Sequence, residues 1–473
     1  MHRILALLAL LALLALVAMT GTARPALAVG TRAFAVCTDF STGSLDAVDL
    51  STRVVTPDAA AIGSDAVARW YQGRVYVVNR FGGDNIQVID PGAGYATLRQ
   101  FSVGNGSNPQ DIAFVSPTRA YVSRYGANSI AIVDPSTGAG HGFISLAGFA
   151  DSDGLPEMAR MVRVDRWVFV ACQRLTNFAA GNPSRIAVID TQADSVYDVD
   201  PATPGIQGIT LALRNPVTTF EFDRASTRLL IGCAGDFGVN DGGVEAIDPV
   251  ALSDLGVVAS EATLGGDLSD IAVRDAHHAY ALLSAGATCA LRSWDPSTGD
   301  TLATLYTLAG GFSLPDMELD DRGELYVCRN DFGAPGLLVF STSNDLLVAG
   351  PLGTGLPPVA VTFDHATDAV LASPPAMPAQ PAASLAAPWP SPARSSARIA
   401  FALARAGETR LELFDASGRR VRTLAAGALA GGRHEVAWDL RDDTRNPLYA
   451  GVYMVRLTQD GKSLGTTRVV VVR

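Results

Sequence analysis

Short apolar segments recur along most of the chain, separated by turn-forming residues. Seven segments share one pattern: an apolar strand, a turn with loop residues, and a second apolar strand that ends in Asp or an equivalent residue. The segments begin at Ala33, Val75, Ala120, Val168, Arg228, Ala279 and Glu324. Their strand-ending residues are Asp49, Asp90, Asp134, Asp190, Asp248, Asp295 and, near the seventh, Ser341. The aspartates lie 41 to 58 residues apart, which is the length of one four-stranded propeller blade.

A further short strand precedes most repeats and predicts how the ring of blades closes. Examples are Pro109–Val115 and Ser269–Asp275. The first repeat has no such strand, whereas a spare one, Val359–Asp364, follows the seventh repeat. Pairing of the spare strand with the first repeat would remove the open sheet edges. We therefore expect an all-β chain with a seven-bladed β-propeller over residues 29–372; six or eight blades are the alternatives.

The second and third repeats carry the clearest family resemblance. The stretches VYVVNRFGGDNIQVIDP from Val75 and AYVSRYGANSIAIVDPSTG from Ala120 resemble the YVTN family of β-propeller repeats. The resemblance extends over about Val29 to Ser373 and is weaker in the fourth to sixth repeats. It implies a propeller fold and a family that includes surface-layer and extracellular proteins, but it implies no particular activity.

Residues 1–28 have the pattern of a secretory signal peptide. A short basic start with Arg3 precedes an apolar run, and Ala26-Leu27-Ala28 fits a cleavage site after Ala28. The alternative is an uncleaved membrane anchor, for which the run is short. We expect a secreted protein, extracellular or on the outer surface of a bacterial cell, with no transmembrane segment in the mature chain.

The C-terminal region predicts a second domain behind a linker. Residues 373–392 are rich in Pro and Ala, which favours an extended spacer. Residues 393–473 contain short alternating strands with turns such as Ser417-Gly418 and Asp460-Gly461. This pattern predicts a small Ig-like β-sandwich.

The tail also resembles two known families. The stretches LELFDASGRRVRTL from Leu411, GRHEVAWD from Gly432 and AGVYMVRL from Ala450 resemble type IX secretion sorting domains and the Ig-like domain of the flagellar hook-capping protein. The resemblance implies a role in export or attachment, with secretion machinery as a partner. The tail departs from the pattern at Leu440, where Gly is usual and one turn should change. It departs again at Pro388-Trp389-Pro390, which replaces Asn-Pro-Phe.

Composition excludes some function classes. The formal net charge is −11, and Lys462 is the only lysine. From Ser384 onward there are 14 Arg and Lys against 8 Asp and Glu, so the preceding region is strongly acidic. An acidic body without a basic stripe argues against nucleic-acid binding, because phosphate contacts need clustered basic residues.

Conventional catalytic motifs are missing from the sequence. The five cysteines, Cys37, Cys172, Cys233, Cys289 and Cys328, form no C-x-x-C pair. Four of them fall at equivalent strand positions, so we interpret them as small buried hydrophobes rather than disulfides or ligands. Histidine is scarce and occurs in no H-x-H, H-E-x-x-H or similar motif, and no Ser lies in G-x-S-x-G. We expect no enzyme activity and no cofactor.

Aromatic residues suggest a binding face. Six repeats place one just after the second strand: Phe40, Phe81, Tyr125, Phe178, Phe237 and Phe332. Arginines recur beside them, namely Arg80, Arg124, Arg174 and Arg329, and carboxylates recur at the start of the innermost strands, namely Asp65, Asp111, Glu157, Asp270 and Asp316. Such a face could bind a protein, a glycan or a small ligand. Alternatively, the rings pack each loop onto its neighbour and the arginines pair with the carboxylates.

A metal-dependent hydrolase, such as a lactonase, is the alternative function. It would need Asp111, Glu157, Asp270 and Asp316 to converge at the channel mouth, with calcium as a possible cofactor. Asp151-Ser152-Asp153-Gly154, followed by Glu157, resembles part of a calcium loop but lacks its remaining ligands. The stretch Asn240–Gly243 is similar. For both stretches a plain polar turn is the favoured interpretation.

Overall fold

A computed structural model describes residues 30–224, 226–364, 384–385, 388, 391, 393–394, 396–403, 407–415, 417–429 and 432–472. The predicted signal peptide and most of the predicted linker lie outside these residues. The chain divides into two compact units, Met1–Ala372 and Ser373–Arg473. Among the described residues, no helix has the length and apolar character needed to cross a membrane.

Seven antiparallel sheets form the first unit, and each is one blade of the predicted propeller. From the channel outward, blade one is β29 (Pro358–Phe363), β1 (Arg32–Thr38), β2 (Gly43–Asp49) and β3 (Val55–Ile62). Blade two is β4 (Ala66–Tyr71), β5 (Arg74–Asn79), β6 (Asn85–Asp90) and β7 (Ala96–Ser102). Blade three is β8 (Pro109–Ser116), β9 (Arg119–Arg124), β10 (Ser129–Val133) and β11 (Gly140–Ser145).

The remaining four blades follow the same order. Blade four is β12 (Met158–Val164), β13 (Trp167–Cys172), β14 (Arg185–Asp190) and β15 (Ser195–Tyr197), with β16 (Ile209–Thr210) also paired to β14. Blade five is β17 (Pro216–Asp223), β18 (Arg228–Cys233), β19 (Gly243–Asp248) and β20 (Ser253–Ser260). Blade six is β21 (Asp267–Asp275), β22 (His278–Ala285), β23 (Thr288–Trp294) and β24 (Thr301–Ala309). Blade seven is β25 (Met317–Leu319), β26 (Glu324–Arg329), β27 (Gly336–Ser341) and β28 (Leu346–Gly353).

Among the described residues of this unit, helical structure is limited to single turns. The α-helix α1 (Glu261–Leu264) follows β20, and two 3-10 turns cover Pro91–Ala93 and Ala147–Phe149. The Ser260 side chain caps α1 by accepting a hydrogen bond from the Thr263 N–H. The fold is therefore built almost wholly from four-stranded sheets, as the repeat length predicts.

The ring closes through the displaced strand, as predicted. Strand β29 pairs with β1, with Ala33 opposite Phe363 and Ala35 opposite Val361. The carboxylate of Asp364 then fixes the junction. It accepts hydrogen bonds from the backbone N–H groups of Thr31 (2.5 Å) and Arg32 (2.6 Å) and from the Thr31 hydroxyl (2.7 Å). Closure therefore joins the two ends of the propeller through both a sheet ladder and a charged latch.

The strand-ending aspartates shape the turn into the outermost strand. Asp134 Oδ1 accepts the Ser136 N–H at 2.7 Å, and Asp295 Oδ1 accepts the Ser297 N–H at 2.8 Å. Hydrogen bonds from these serine side chains hold the pKa of both aspartates below its ordinary value. The repeated Asp thus stabilises the turn that follows its strand through local hydrogen bonds.

The blades pack face to face through apolar side chains, and the cysteines belong to this packing. All five cysteines are buried and none forms a disulfide. Burial raises the pKa of the Cys172 thiol to about 12, so it is a poor nucleophile. This confirms their interpretation as small buried hydrophobes.

The second unit contains two sheets, as expected of a β-sandwich. One sheet is β30 (Ser384–Leu385), β31 (Ala397–Leu403) and β34 (Gly432–Trp438), and the other is β33 (Arg420–Leu429), β32 (Gly407–Phe414), β35 (Gly451–Gln459) and β36 (Lys462–Val471). Trp438 is fully buried in their shared core. The Tyr453 hydroxyl donates to the carbonyl of Tyr449 at 2.9 Å, a contact like the tyrosine corner of Ig-like folds.

Leu440, which stands where the resembling families have glycine, adopts a left-handed backbone. Its φ is 57°, and its side chain is buried in the sandwich core. A left-handed non-glycine residue costs about 1–3 kcal/mol, which burial of a leucine side chain can offset. The change of turn expected at this position stays a prediction.

The sequence pattern does not predict strand β33, because its residues lack a clear apolar alternation.

We predict that Asp364→Ala destabilises the propeller by about 2–4 kcal/mol, because two backbone N–H groups lose a charged acceptor. Asp364→Asn should cost less, since one acceptor oxygen remains. Urea unfolding of the full chain measures both, with Asp300→Asn, an exposed carboxylate, as the control. An Asp364→Ala midpoint equal to that of the control would contradict the latch.

Candidate functional site

The predicted aromatic residues all lie in the loops between the second and third strands of their blades. In a propeller these loops and the connections entering the innermost strands lie on one side of the ring, which we call the loop face. Five rings are strongly exposed: Phe40 (76%), Phe81 (79%), Phe178 (84%), Phe237 (58%) and Phe332 (72%). Tyr125 is half-buried. The alternative, that the rings pack the loops onto neighbouring blades, does not hold for Phe40, Phe81, Phe178 and Phe332.

The loop backbones hold these rings in defined positions. Phe40 and Phe178 have φ values of 68° and 65°, a left-handed conformation that persists only where surrounding contacts impose it. The Phe40 N–H donates to the Thr38 hydroxyl at 2.8 Å. The Phe81 N–H donates to the Asp65 carboxylate at 3.2 Å. The rings are therefore exposed on loops that are anchored to the blades.

A sixth exposed ring, which the repeat pattern does not predict, takes the place of the ring that blade six lacks. The hairpin of blade six between β22 and β23 has no aromatic residue. Phe312, in the connection from β24 to β25, donates its N–H to the hydroxyl of Ser284 at the end of β22 (3.0 Å). Its ring is 49% exposed and meets Phe237 edge to face, with centroids 5.7 Å apart. In the sequence, Phe312 follows Gly310-Gly311 and precedes the innermost strand β25. It therefore lies outside the loop between second and third strands, where the other aromatic residues recur.

Two of the four recurrent arginines pair with carboxylates. Arg80 donates from Nε to Asp65 Oδ1 at 2.7 Å and also reaches Gln110 Oε1 at 3.4 Å. Arg329 forms an ion pair with Asp331 in its own loop. The predicted pairing with innermost-strand carboxylates therefore holds for Arg80 and not for Arg329.

The other two arginines bind backbone carbonyls. Arg124 donates to the carbonyls of Ser129 (2.9 Å) and Val103 (3.2 Å), and its guanidinium lies 4.7 Å from the Phe143 ring centroid. Arg174 donates to the carbonyl of Pro183 at 2.8 Å. These contacts hold the loops in place, and they leave the aromatic rings as the main exposed chemistry of the loop face.

The innermost-strand carboxylates bind the neighbouring blade. Asp111 Oδ2 accepts the Met161 N–H at 2.9 Å, Asp270 accepts the Met317 N–H at 3.0 Å, and Asp316 accepts the Val361 N–H at 2.8 Å. Each bond joins one innermost strand, or the residue just before it, to the next around the channel. Asp111 also forms an ion pair with Arg69, with Nε and Oδ1 2.9 Å apart.

The convergent site required by the lactonase alternative is not formed by this set. In the part of the chain that the structure describes, the one group of three potential metal ligands is Asp151, Asp153 and Glu157, with ligand atoms within 4.8 Å of one another. Asp111, Asp270 and Asp316 are outside it. The Glu157 carboxylate accepts the Leu175 N–H at 3.1 Å. Burial raises the pKa of Glu157 to about 8, and Asp153 and Asp151 add to the rise. A divalent cation such as calcium is the ion that three carboxylates of this kind could hold.

A cavity of about 220 Å³ lies inside the propeller channel. Its walls are segments of the innermost strands of six blades, with apolar residues such as Val67, Phe220 and Met317 between charged ones. Burial raises the pKa of Asp316 to about 7, and Glu318 adds to the rise, whereas the Val361 N–H, Arg160 and Arg69 oppose it. The channel is thus a polar interior with perturbed carboxylates.

Comparison with known proteins supports the two-part architecture. The family of FlgD Ig-like domains matches residues 391–463. This match agrees with the resemblance of the tail to the Ig-like domain of the flagellar hook-capping protein. No curated protein matches the chain.

Several solved structures are similar to the first unit. A proposed 6-phosphogluconolactonase from Bacteroides fragilis has a TM-score of 0.52 at 13% identity, and the match covers 72% of this chain and 99% of that one. A protein of unknown function from Desulfotomaculum acetoxidans has a TM-score of 0.48 at 14% identity, covering 70% and 99%. Hydrazine synthase from Kuenenia stuttgartiensis has a TM-score of 0.46 at 15% identity, covering 69% and 99%. At such identities the first similarity supports the fold and does not transfer an activity.

We predict that Asp316→Asn reduces the pH dependence of stability. Because the pKa of Asp316 is about 7 in the folded protein against 3.8 ordinarily, the unfolded chain loses this proton first as pH rises. The free energy of unfolding should therefore fall between these two pH values, and Asn should remove that part of the fall. Urea midpoints at about pH 4 and about pH 8 measure it, with Asp300→Asn as the control. If the urea midpoint changes between the two pH values by the same amount in Asp316→Asn and in the unmodified protein, the prediction is wrong.

Proposed function

We propose that this protein is a non-catalytic binding or scaffold protein that acts outside the cell and binds a protein or a glycan on its loop face. The observation that carries the proposal is the ring of six exposed phenylalanines, one on each of six blades, with Tyr125 completing the set. Burying a phenylalanine side chain is worth about 1.5–3 kcal/mol. Exposure of several large aromatic rings on one face is typical of interaction sites.

The fixed conformation of the loops supports a binding role for the exposed rings. Rings held by backbone hydrogen bonds, as at Phe40, Phe81 and Phe312, lose little conformational freedom when a ligand docks. Aromatic residues are also the commonest anchors of binding energy at protein interfaces, and they stack on sugar rings. Since each ring belongs to a different blade, a ligand that contacts several of them must be extended.

The use of the channel carboxylates supports a non-catalytic role. Asp111, Asp270 and Asp316 are engaged by backbone N–H groups of the neighbouring blade. Each of these carboxylates therefore already has a structural role in the contact between neighbouring blades. The cysteine thiols are buried, so they are poor nucleophiles.

We also infer a YVTN-type propeller that is exported and then sorted or attached through residues 393–473. The motifs from Val75 and Ala120 support the repeat type, and residues 1–28 support entry into a secretion pathway. The FlgD Ig-like match at residues 391–463 supports a protein-interaction role for the tail. Secretion machinery or a surface component is the expected partner of the tail.

We predict that the triple variant Phe81→Ala, Phe237→Ala, Phe332→Ala keeps its fold but binds its ligand at least about tenfold more weakly. Ligands are first identified on an array of bacterial glycans and by crosslinking to extracellular proteins of expressing cells, and affinities are then compared. The matched control is Leu255→Ala, Leu302→Ala, Leu346→Ala, three exposed residues on outermost strands. Equal affinity of the triple variant and the unmodified protein would overturn the loop-face proposal.

We predict that a chain ending at Ala372 folds as a propeller but is lost from the cell surface. Its thermal unfolding should resemble that of the propeller in the full chain, because the two units are separate. Surface labelling of intact cells measures display, and an equal amount of label on cells with the shortened chain would exclude the attachment role.

A further inference from the structure

The charged residues that line the cavity are separated by sign. Strands β4 and β12 contribute Arg69, Arg160 and Arg163. Strands β17 and β25, with the residue just before β25, contribute Glu221, Glu318 and Asp316. Blades two, three and four are consecutive in the ring, as are blades five, six and seven. The cavity therefore has a basic wall on one arc and an acidic wall on the other.

Arg160 is the arginine of this wall with the fewest hydrogen bonds, because the carbonyls of Phe114, Val115 and Asp165 engage Arg163. Arg69 is neutralised by Asp111, through Nε to Oδ1 at 2.9 Å and Nη2 to Oδ2 at 3.2 Å. Arg160 makes one hydrogen bond, from Nη1 to the carbonyl of Gln110 at 3.3 Å, and pairs with no carboxylate of the described residues. A guanidinium has five N–H donors, so most of its capacity faces the cavity. Burial lowers the pKa of Arg160 to about 10, and Arg69 adds to the fall.

Glu221 is the matching anion. Its Oε2 accepts the Val273 N–H at 3.2 Å, and within the described chain it forms no ion pair. Burial raises the pKa of Glu221 to about 8, and the neighbouring Glu318 adds to the rise. A cation placed beside Glu221 would stabilise the ionised carboxylate and lower its pKa.

The two walls together select for charge on both ends of a ligand. A plain anion would bind Arg160 but leave Glu221 without a cation, whereas a plain cation would bind Glu221 but lie close to Arg160. Apolar residues such as Phe220, Met317 and Val361 lie between the walls. At about 220 Å³ the cavity is smaller than a typical drug site, which limits the ligand to a small molecule.

We propose that the channel binds a small zwitterion of the amino-acid class, with its carboxylate on Arg160 and its ammonium on Glu221. Arginine and a carboxylate form two parallel charge-assisted hydrogen bonds, and an ammonium donates three. The site is separate from the loop face, so it does not depend on the function proposed for the aromatic rings.

Thermal unfolding and calorimetry of the mature full chain test this proposal. The probes are the standard amino acids and glycine betaine, each at about 10 mM, because binding to the folded state raises the melting temperature. L-Leucine is compared with 4-methylpentanoate, which lacks the ammonium, and with 3-methylbutylamine, which lacks the carboxylate. We expect at least one zwitterion to bind, and its single-charge analogues to bind at least about tenfold more weakly.

Variants then separate a channel site from binding elsewhere. Arg160→Gln and Glu221→Gln should each weaken binding of the zwitterion at least about tenfold. The control Arg99→Gln lies on β7, the outermost strand of blade two, where its guanidinium donates to the carbonyl of Pro135, so affinity should persist. No binding by any zwitterion, equal binding of a single-charge analogue, or unchanged affinity in both Arg160→Gln and Glu221→Gln would each overturn the proposal.

Discussion

The inner edge of each blade is the constraint on which the rest of the propeller depends. Seven sheets arranged around a channel leave seven innermost strands with one unpaired row of backbone N–H and C=O groups, and buried groups of this kind must find partners. Side chains of a neighbouring blade supply several of them. Asp111, Asp270 and Asp316 accept N–H groups, whereas Arg160 donates to the Gln110 carbonyl. The first role of these polar residues is therefore to connect neighbouring blades.

This constraint distinguishes polar side chains that connect neighbouring blades from those that remain available to bind a ligand. A carboxylate that satisfies a backbone N–H has a partner already, so its recurrence in the repeats is not a sign of catalysis. Arg160 and Glu221 each meet the backbone through a single bond of 3.2–3.3 Å and lack a charged partner among the described residues. Their remaining hydrogen-bonding capacity is turned toward the cavity. The same reasoning explains why the loop arginines Arg124 and Arg174, which bind carbonyls, are parts of the scaffold.

Closure of the ring also determines what the loop face can present. The β29–β1 ladder and the Asp364 latch fix the ring, so each loop between second and third strands projects from a rigid blade. Short hydrogen bonds near the strand ends then hold the loop backbones, including left-handed Phe40 and Phe178. Exposed rings on rigid supports, rather than a deep pocket, are what this face offers to an extended partner.

The sequence alone determined the repeat length, the blade count, the displaced closing strand and the Ig-like tail, because these depend on local apolar patterning, turn residues and chain order. It also located six aromatic residues in equivalent loops. Only the tertiary structure decided that five of those rings are exposed, that Phe312 joins them, and that Asp316 binds Val361 rather than Arg329. Those properties depend on contacts between blades, as does the division of charge in the channel. A contact between residues far apart in the chain leaves no periodic trace in the sequence, so it becomes visible only when the blades are placed side by side.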